Sequence, residues 1–331
     1  VAERVGAARG VAVNSATSAL HVACAALDLG PGDWLWTSPN TFVASANCAL
    51  YCGASVDFVD IDPATWTMSP DALAAKLETA AQEGRLPKVV VPVHLCGQSC
   101  DMAAIGALAK RYGFHVVEDA SHAIGGRYRG EPVGTCRHSD VTVFSFHPVK
   151  IVTTGEGGAA VTNAAALAAR MERLRSHGIT RAPALMTPAP DCPWYYQQIE
   201  LGWNYRMTDI AATLGTSQLD RLDDYVARRH ALVRRYNEAF EGLPLQRPAQ
   251  HPDAFSAFHL YVIRVHDRAR HRAIFEGLRA RGMGVNLHYI PVHLQPFYRR
   301  MGFAPGDFPE AEAYYAEAIS LPMFPTLSEA D

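Results

Sequence analysis

No apolar run in the 331-residue sequence reaches the roughly 18 to 20 residues that a bilayer-crossing helix needs, and charged residues interrupt the longest ones. A membrane-spanning function is therefore not expected. Positive charge is also scarce. The 30 lysines and arginines face 33 acidic residues, a formal net charge of -3, which gives no basic footprint for nucleic acid or a lipid surface. The opening VAERVGAARG has no apolar signal-peptide core, so a cytoplasmic location is expected. Cysteine is sparse and odd in number, 7 in all, which argues against a disulfide-stapled secreted scaffold and for reduced thiols. Cys48 with Cys52, and Cys96 with Cys100, form two C-x3-C pairs. Their apolar, small-residue surroundings read as core positions, and no metal is expected. Internal repeats and low-complexity segments are lacking too. So is an initiating Met: the chain opens within an apparent helix and closes at LSEAD where another should start, and both ends are expected to be truncated.

What is present is a composition of 49% apolar and 19% charged residues, long enough for a large core and two domains. Between residues 11 and 161, short β-like apolar runs alternate with helical stretches. That alternation predicts an α/β fold with a mainly parallel sheet, helices on both faces, and ligands gathered beyond the carboxyl ends of the strands. Ser69 and Pro70 read as N-cap and first-turn residues of a helix through residue 82, and Gly113 as the stop of a helix over 101–112. Pro92 inside the run 89–93 marks either a strand end or an edge position. A helix over 164–177 leads to a loop carrying Pro183, Pro188, Pro190 and Pro193. The pattern over 209–240 predicts one long helix joining a large domain, residues 1–240, to a smaller α+β domain, residues 241–331. Strands are expected there at 258–265 and 285–290.

The stretch VFSFHPVKIVTTGEGGAAV carries Lys150 between a strand-like run and a glycine-rich turn. In a crowded cavity, desolvation would make its amine a nucleophile suited to Schiff-base chemistry; otherwise it is a surface lysine in a loop. Asp119, at a strand's carboxyl end, reads either as a helix cap or as the partner of a protonated ligand nitrogen. Ala16 and Thr17, between Ser15 and Ser18 at a helix start, suit ordinary capping or a phosphate. Phe42 reads as a core aromatic or as a face for a planar ring. Lysine, carboxylate, aromatic face and phosphate cradle together are the parts that pyridoxal 5'-phosphate requires.

The segments NSATSALHVACAALDLGPGDW, TFVASANCALYCGA, PVHLCGQSCDM, EDASHAIGG, SDVTVFSFHPVKIVTTGEGG, LRSHGITR and LGWNYRMTDIAATLGTSQLDRLD resemble the DegT/DnrJ/EryC1/StrS sugar aminotransferases. Within that family, SDVTVFSFHPVK, WYYQQIELGWNYRMTD and GVNLHYIPVH are most similar to the C4 aminotransferases of pseudaminic acid biosynthesis. The resemblance implies an aspartate-aminotransferase-type fold (fold type I) and a homodimer with active sites at the subunit interface. It also implies transfer of an amino group from L-glutamate to a UDP-linked 4-keto-6-deoxy-N-acetylhexosamine. Lys150 matches the Schiff-base lysine, Asp119 the partner of the pyridine nitrogen, and Phe42 the aromatic over the ring. Ala16, Thr17 and Ser145 match phosphate-binding positions. His122 stands where many members have glutamine beside the cofactor's 3-hydroxyl. Asn204 and Arg206 match the segment that reaches the neighbouring subunit's phosphate. His288 and His293 are candidates for the sugar nucleotide, or else polar residues of a small-domain turn. Another acceptor linked to dTDP or GDP, and a catalytically idle cofactor-binding regulator, are the alternatives. A dehydratase of the family is disfavoured because those relatives replace the lysine.

Overall fold

Seven short strands align into one sheet in the computed structural model, which describes residues 1–187 and 192–328. They are β1 (Arg9–Val13), β2 (Trp34–Thr37), β3 (Ser55–Phe58), β4 (Val89–Val91), β5 (His115–Asp119), β6 (Val141–Ser145) and β7 (Gly158–Thr162). Their spatial order is β1-β7-β6-β5-β4-β2-β3. β7 runs antiparallel to both neighbours, and the other adjoining pairs are parallel. β4, β6 and β7 are buried along their whole length, which is why they read as continuous rather than alternating apolar runs. Side chains of β2, β4 and β5 divide between two cores. Leu35, Val89 and Val117 face α1 (Ala16–Ala26) and α2 (Ala44–Tyr51); Trp36, Val90 and Val116 face α3 (Pro70–Glu83) and α4 (Met102–Tyr112).

Local capping works as the residue types predict. Ser69 Oγ accepts the Ala72 N–H at 3.2 Å, and Asp101 Oδ1 accepts that of Ala104 at 3.1 Å. Gly113 ends α4 with a φ of 79°, the left-handed turn a side chain disfavours. Pro92 lies just past a central strand, not in an edge strand: its carbonyl accepts the Asp119 N–H at 2.9 Å, and no donor is asked of it.

After α5 (Ala165–Leu174), the loop expected around four prolines includes Pro188 and Pro190, which lie outside the described residues. The single helix predicted over 209–240 is instead two, α6 (Asp209–Leu219) and α7 (Leu222–Ala239), broken at Asp220 and Arg221. No glycine or proline marks the break. The two halves meet different surroundings: among described residues α6 buries only Gly215, whereas α7 buries five residues along its length. Leu222 and Val226 of α7 join a core of the large sheet, and Leu232 and Val233 join a second core beyond it.

That second core lies under an antiparallel sheet of β8 (Leu245–Gln246), β9 (Tyr261–Val265) and β10 (Ala318–Leu321), with α8 (Arg268–Ala280) against it, whereas α9 (Pro309–Glu317) sends Ala311 and Tyr314 into a core of the large sheet. The run 285–290 forms no strand; within it only Asn286 bridges, to Ser320 on the free edge of β10. Several ties bind the two sheets. Asp60 accepts the N–H groups of Glu310 and Ala311 at 2.9 and 3.0 Å, and buried Arg229 places Nη1 3.0 Å from the carbonyl oxygens of Phe258, His259 and Met323. Among the described residues, no helix is long and apolar enough to cross a membrane.

Candidate active site

Because β7 is reversed, its first residues lie at the same sheet edge as the last residues of β1, β5 and β6. The β1–β7 register sets Gly158 opposite Val13, beside the turn into α1. A side chain on Gly158 would place its first carbon 2.6 Å from the Ala16 nitrogen, so only glycine lets the two backbones pass. Ser15 Oγ caps α1 by accepting the Ser18 N–H at 3.1 Å. The N–H groups of Ala16 and Thr17, in the first turn, have no intrahelical acceptor and suit an anion. The Asn14 N–H donates to the Tyr205 carbonyl at 2.8 Å and fixes the turn from outside.

A cavity of about 300 Å³ opens at this edge. Ala16, Thr17, Phe42, Asp119, His122, Ser145, Lys150 and His288 all line it. Lys150 hangs in the short connection from β6 to β7, half-buried, and loss of water around its amine pulls it from 10.5 to about 8, partly opposed by the charge of Asp119. Asp119 is buried at the end of β5. Its Oδ2 accepts the Ser45 hydroxyl at 2.6 Å, and its Oδ1 accepts the Ser121 N–H at 3.0 Å.

Opposite stands His122, buried, with Nδ1 accepting the Cys96 N–H at 3.3 Å. An amide N–H can only donate, so the ring hydrogen sits on Nε2 and points to Tyr289 Oη, 3.2 Å away. Burial first, then the charge of Lys150, holds His122 well below the usual histidine range and so neutral. His259 lies against it with ring centres 4.5 Å apart. The segment before β10 supplies His288 and Tyr289: His288 Nδ1 is 2.8 Å from Ser320 Oγ, and its carbonyl accepts the Tyr314 hydroxyl at 2.9 Å. Burial and then Lys150 lower His288 to about 4, so it too is neutral.

The remaining three candidates lie elsewhere. His293 is buried and does not line the cavity, lying 2.9 Å from Glu312 Oε1 and edge-on to Phe308. Asn204 and Arg206 are exposed on either side of Tyr205 and do not line the cavity of their own chain. Conversely, the sequence reading passed over Tyr289, Thr41, His147 and Glu156, which do line it, and Ser45, which holds Asp119 from behind. Tyr289 sits inside the HYIPVH segment already singled out for its histidines. Thr41 and Ser45, one turn apart, carried a spacing signal that the adjacent Phe42 overshadowed.

These residues fit pyridoxal phosphate: unfilled N–H groups at a helix start for the phosphate, a buried carboxylate for a ring nitrogen, and a lysine whose buried amine gives up its proton more readily than a solvated one. Comparison with known proteins points the same way. The chain is 40% identical over 333 aligned positions to the spore coat polysaccharide biosynthesis protein SpsC of Bacillus subtilis, covering 99% of this chain and 83% of that protein. Its fold is similar to the PLP-form structure of the putative sugar aminotransferase Spr1654 of Streptococcus pneumoniae, with a TM-score of 0.87, 30% identity, and coverage of 99% of this chain and 85% of that one. It is likewise similar to Helicobacter pylori PseC, an aminotransferase involved in the biosynthesis of pseudoaminic acid, with a TM-score of 0.89, 29% identity, and coverage of 99% and 85%. The sequence pattern of one family matches residues 1–331 throughout, and the chain belongs to it: the DegT/DnrJ/EryC1/StrS aminotransferase family.

Proposed function

We propose that the protein is a sugar-nucleotide aminotransferase that uses pyridoxal phosphate to move an amino group from L-glutamate to a UDP-linked 4-keto-6-deoxy-N-acetylhexosamine, as in pseudaminic acid biosynthesis. The observation that carries the reading is the meeting of Lys150, its amine held at about 8, with Asp119 in one cavity beside the start of α1. The cofactor, when bound, supplies an electron sink for the carbon that bears the transferred nitrogen. The chain's own residues do the rest. The N–H groups of Ala16 and Thr17 and the hydroxyl of Ser145 hold the phosphate, Asp119 keeps the ring nitrogen protonated, and Phe42 covers one face of the ring. Lys150 Nζ takes a proton from the donor carbon and, in the return half of the reaction, delivers one to the acceptor carbon. The Tyr289 hydroxyl, accepting from neutral His122, has its own hydrogen left to donate toward an oxygen in the cavity.

A second copy of the chain completes the site in this reading. Trp194, Leu201, Ile210 and Leu214 are exposed apolar residues close in sequence to Asn204 and Arg206, and α6, which carries two of them, packs by Gly215 on Thr154 of the Lys150 loop. A homodimer covering that surface would bring Asn204 and Arg206 to the partner's phosphate.

Incubation with the UDP-linked keto sugar and glutamate is expected to yield the amino sugar, detected by mass spectrometry. Lys150→Ala is expected to lose both this product and the visible absorbance of the lysine-bound cofactor. Turnover retained by that variant would overturn the assignment; turnover only with dTDP- or GDP-linked sugars would keep the chemistry and change the acceptor.

A further inference from the structure

We propose that Ser45 and Thr41 are positioning residues that aim the carboxylate of Asp119 at the ring nitrogen of the cofactor. The inference rests on the reading of Asp119 given above. Thr41, Ser45 and Asp119 are all buried, so water does not compete for their hydrogen bonds. Ser45 Oγ lies 2.6 Å from Asp119 Oδ2, and Thr41 Oγ1 lies 2.8 Å from Ser45 Oγ. An ionised carboxylate can only accept, so the Ser45 hydrogen goes to Asp119 and the Thr41 hydrogen goes to Ser45. The order of the chain is thereby fixed, from threonine to serine to aspartate.

Two anchors act on the two carboxylate oxygens. The Ser121 N–H engages Oδ1 at 3.0 Å from the aspartate's own turn, and Ser45 engages Oδ2 from the far side of the sheet edge. One anchor would leave the carboxylate free to rotate about its Cβ–Cγ bond; two set its plane. Each oxygen keeps a lone pair for the nitrogen facing it. Ser45 does not line the cavity, so it acts through Asp119. Phe42 lies between Thr41 and Ser45 in sequence, just before α2, so the ring's cover and the anchor of its nitrogen partner share one short stretch of chain.

The test uses the apo-protein and two probes: pyridoxal phosphate, and the analogue in which a C–H group replaces the ring nitrogen. The quantity read is the ratio of their dissociation constants. The native chain should prefer the natural cofactor, and Ser45→Ala should shrink that preference about tenfold, the size of one hydrogen bond to a charged group, while leaving the affinity for the carbon analogue unchanged. Ser45→Thr should keep the preference, and Thr41→Val, close in shape, should reduce it by a smaller factor. Should Ser45→Ala fail to fold, Thr41→Val is read in the same way. An undiminished preference in the folded variants, or an equal loss for both probes, would overturn the proposal. No preference in the native chain, matching Asp119→Ala, would instead overturn the reading of Asp119 on which it rests.

Discussion

Lys150 owes its chemistry to dryness. Taking water from an ammonium disfavours its charge, and Asp119, the opposing influence, does not restore the ordinary value. In the apo-protein, reductive trapping of a small aldehyde on Lys150, followed by peptide mass spectrometry, should therefore rise with pH through a midpoint of about 8 and level off above it. Asp119→Asn removes the charge that favours the protonated amine, and should move the midpoint lower. A midpoint above 10 in the native chain, that of a solvated lysine, would contradict the site's electrostatics. That Thr17, Asp119, Ser145 and Lys150 meet in one cavity was legible in the sequence, because each stands at or just past a strand's carboxyl end, and a parallel sheet gathers such residues at one edge. Tyr289 was not legible in that way. It reaches the cavity from a segment that follows no strand, held by Ser320 and Tyr314.

At the level of elements, the caps divide into near and far. Ser69 and Asp101 stand next to the helices they cap, and residue type announces them. α9 has no side-chain cap of its own at Phe308; Asp60, from the loop after β3, supplies both oxygens. Asp60→Ala should thus destabilise the protein by about 1–2 kcal/mol, seen as a lower urea midpoint, and Asp60→Asn by less because one acceptor remains. An unchanged midpoint in Asp60→Ala would show that α9 is held by packing alone. No sequence period encodes a cap contributed from so far away. The break between α6 and α7 was illegible for a related reason: it follows from what each half packs against.

For the whole molecule, the exposed apolar residues around α6 set the expectation. Ile210 is 86% and Leu201 77% exposed in the single chain, an arrangement that a covering surface would relieve. Ile210→Asp combined with Leu214→Asp should convert a dimer into a monomer on a sizing column and release the cofactor at least tenfold more readily, by about 1.4 kcal/mol or more. A monomeric native chain that retains cofactor would refute the shared site. The separate small sheet was readable because the strand and helix rhythm changes after α7, but its close ties to the large sheet were not, since Asp60, Arg229 and Tyr314 act across long sequence distances. Arg229 gives those ties a mechanical form. A single guanidinium grips the chain at His259, whose ring backs His122, and again at Met323, beyond the last strand. The stretch after β10 and the wall of the cavity are thus links of one load path, and a proteolytic nick after Leu321 would slacken the wall from a distance, seen as a shift in the light absorbed by the bound cofactor.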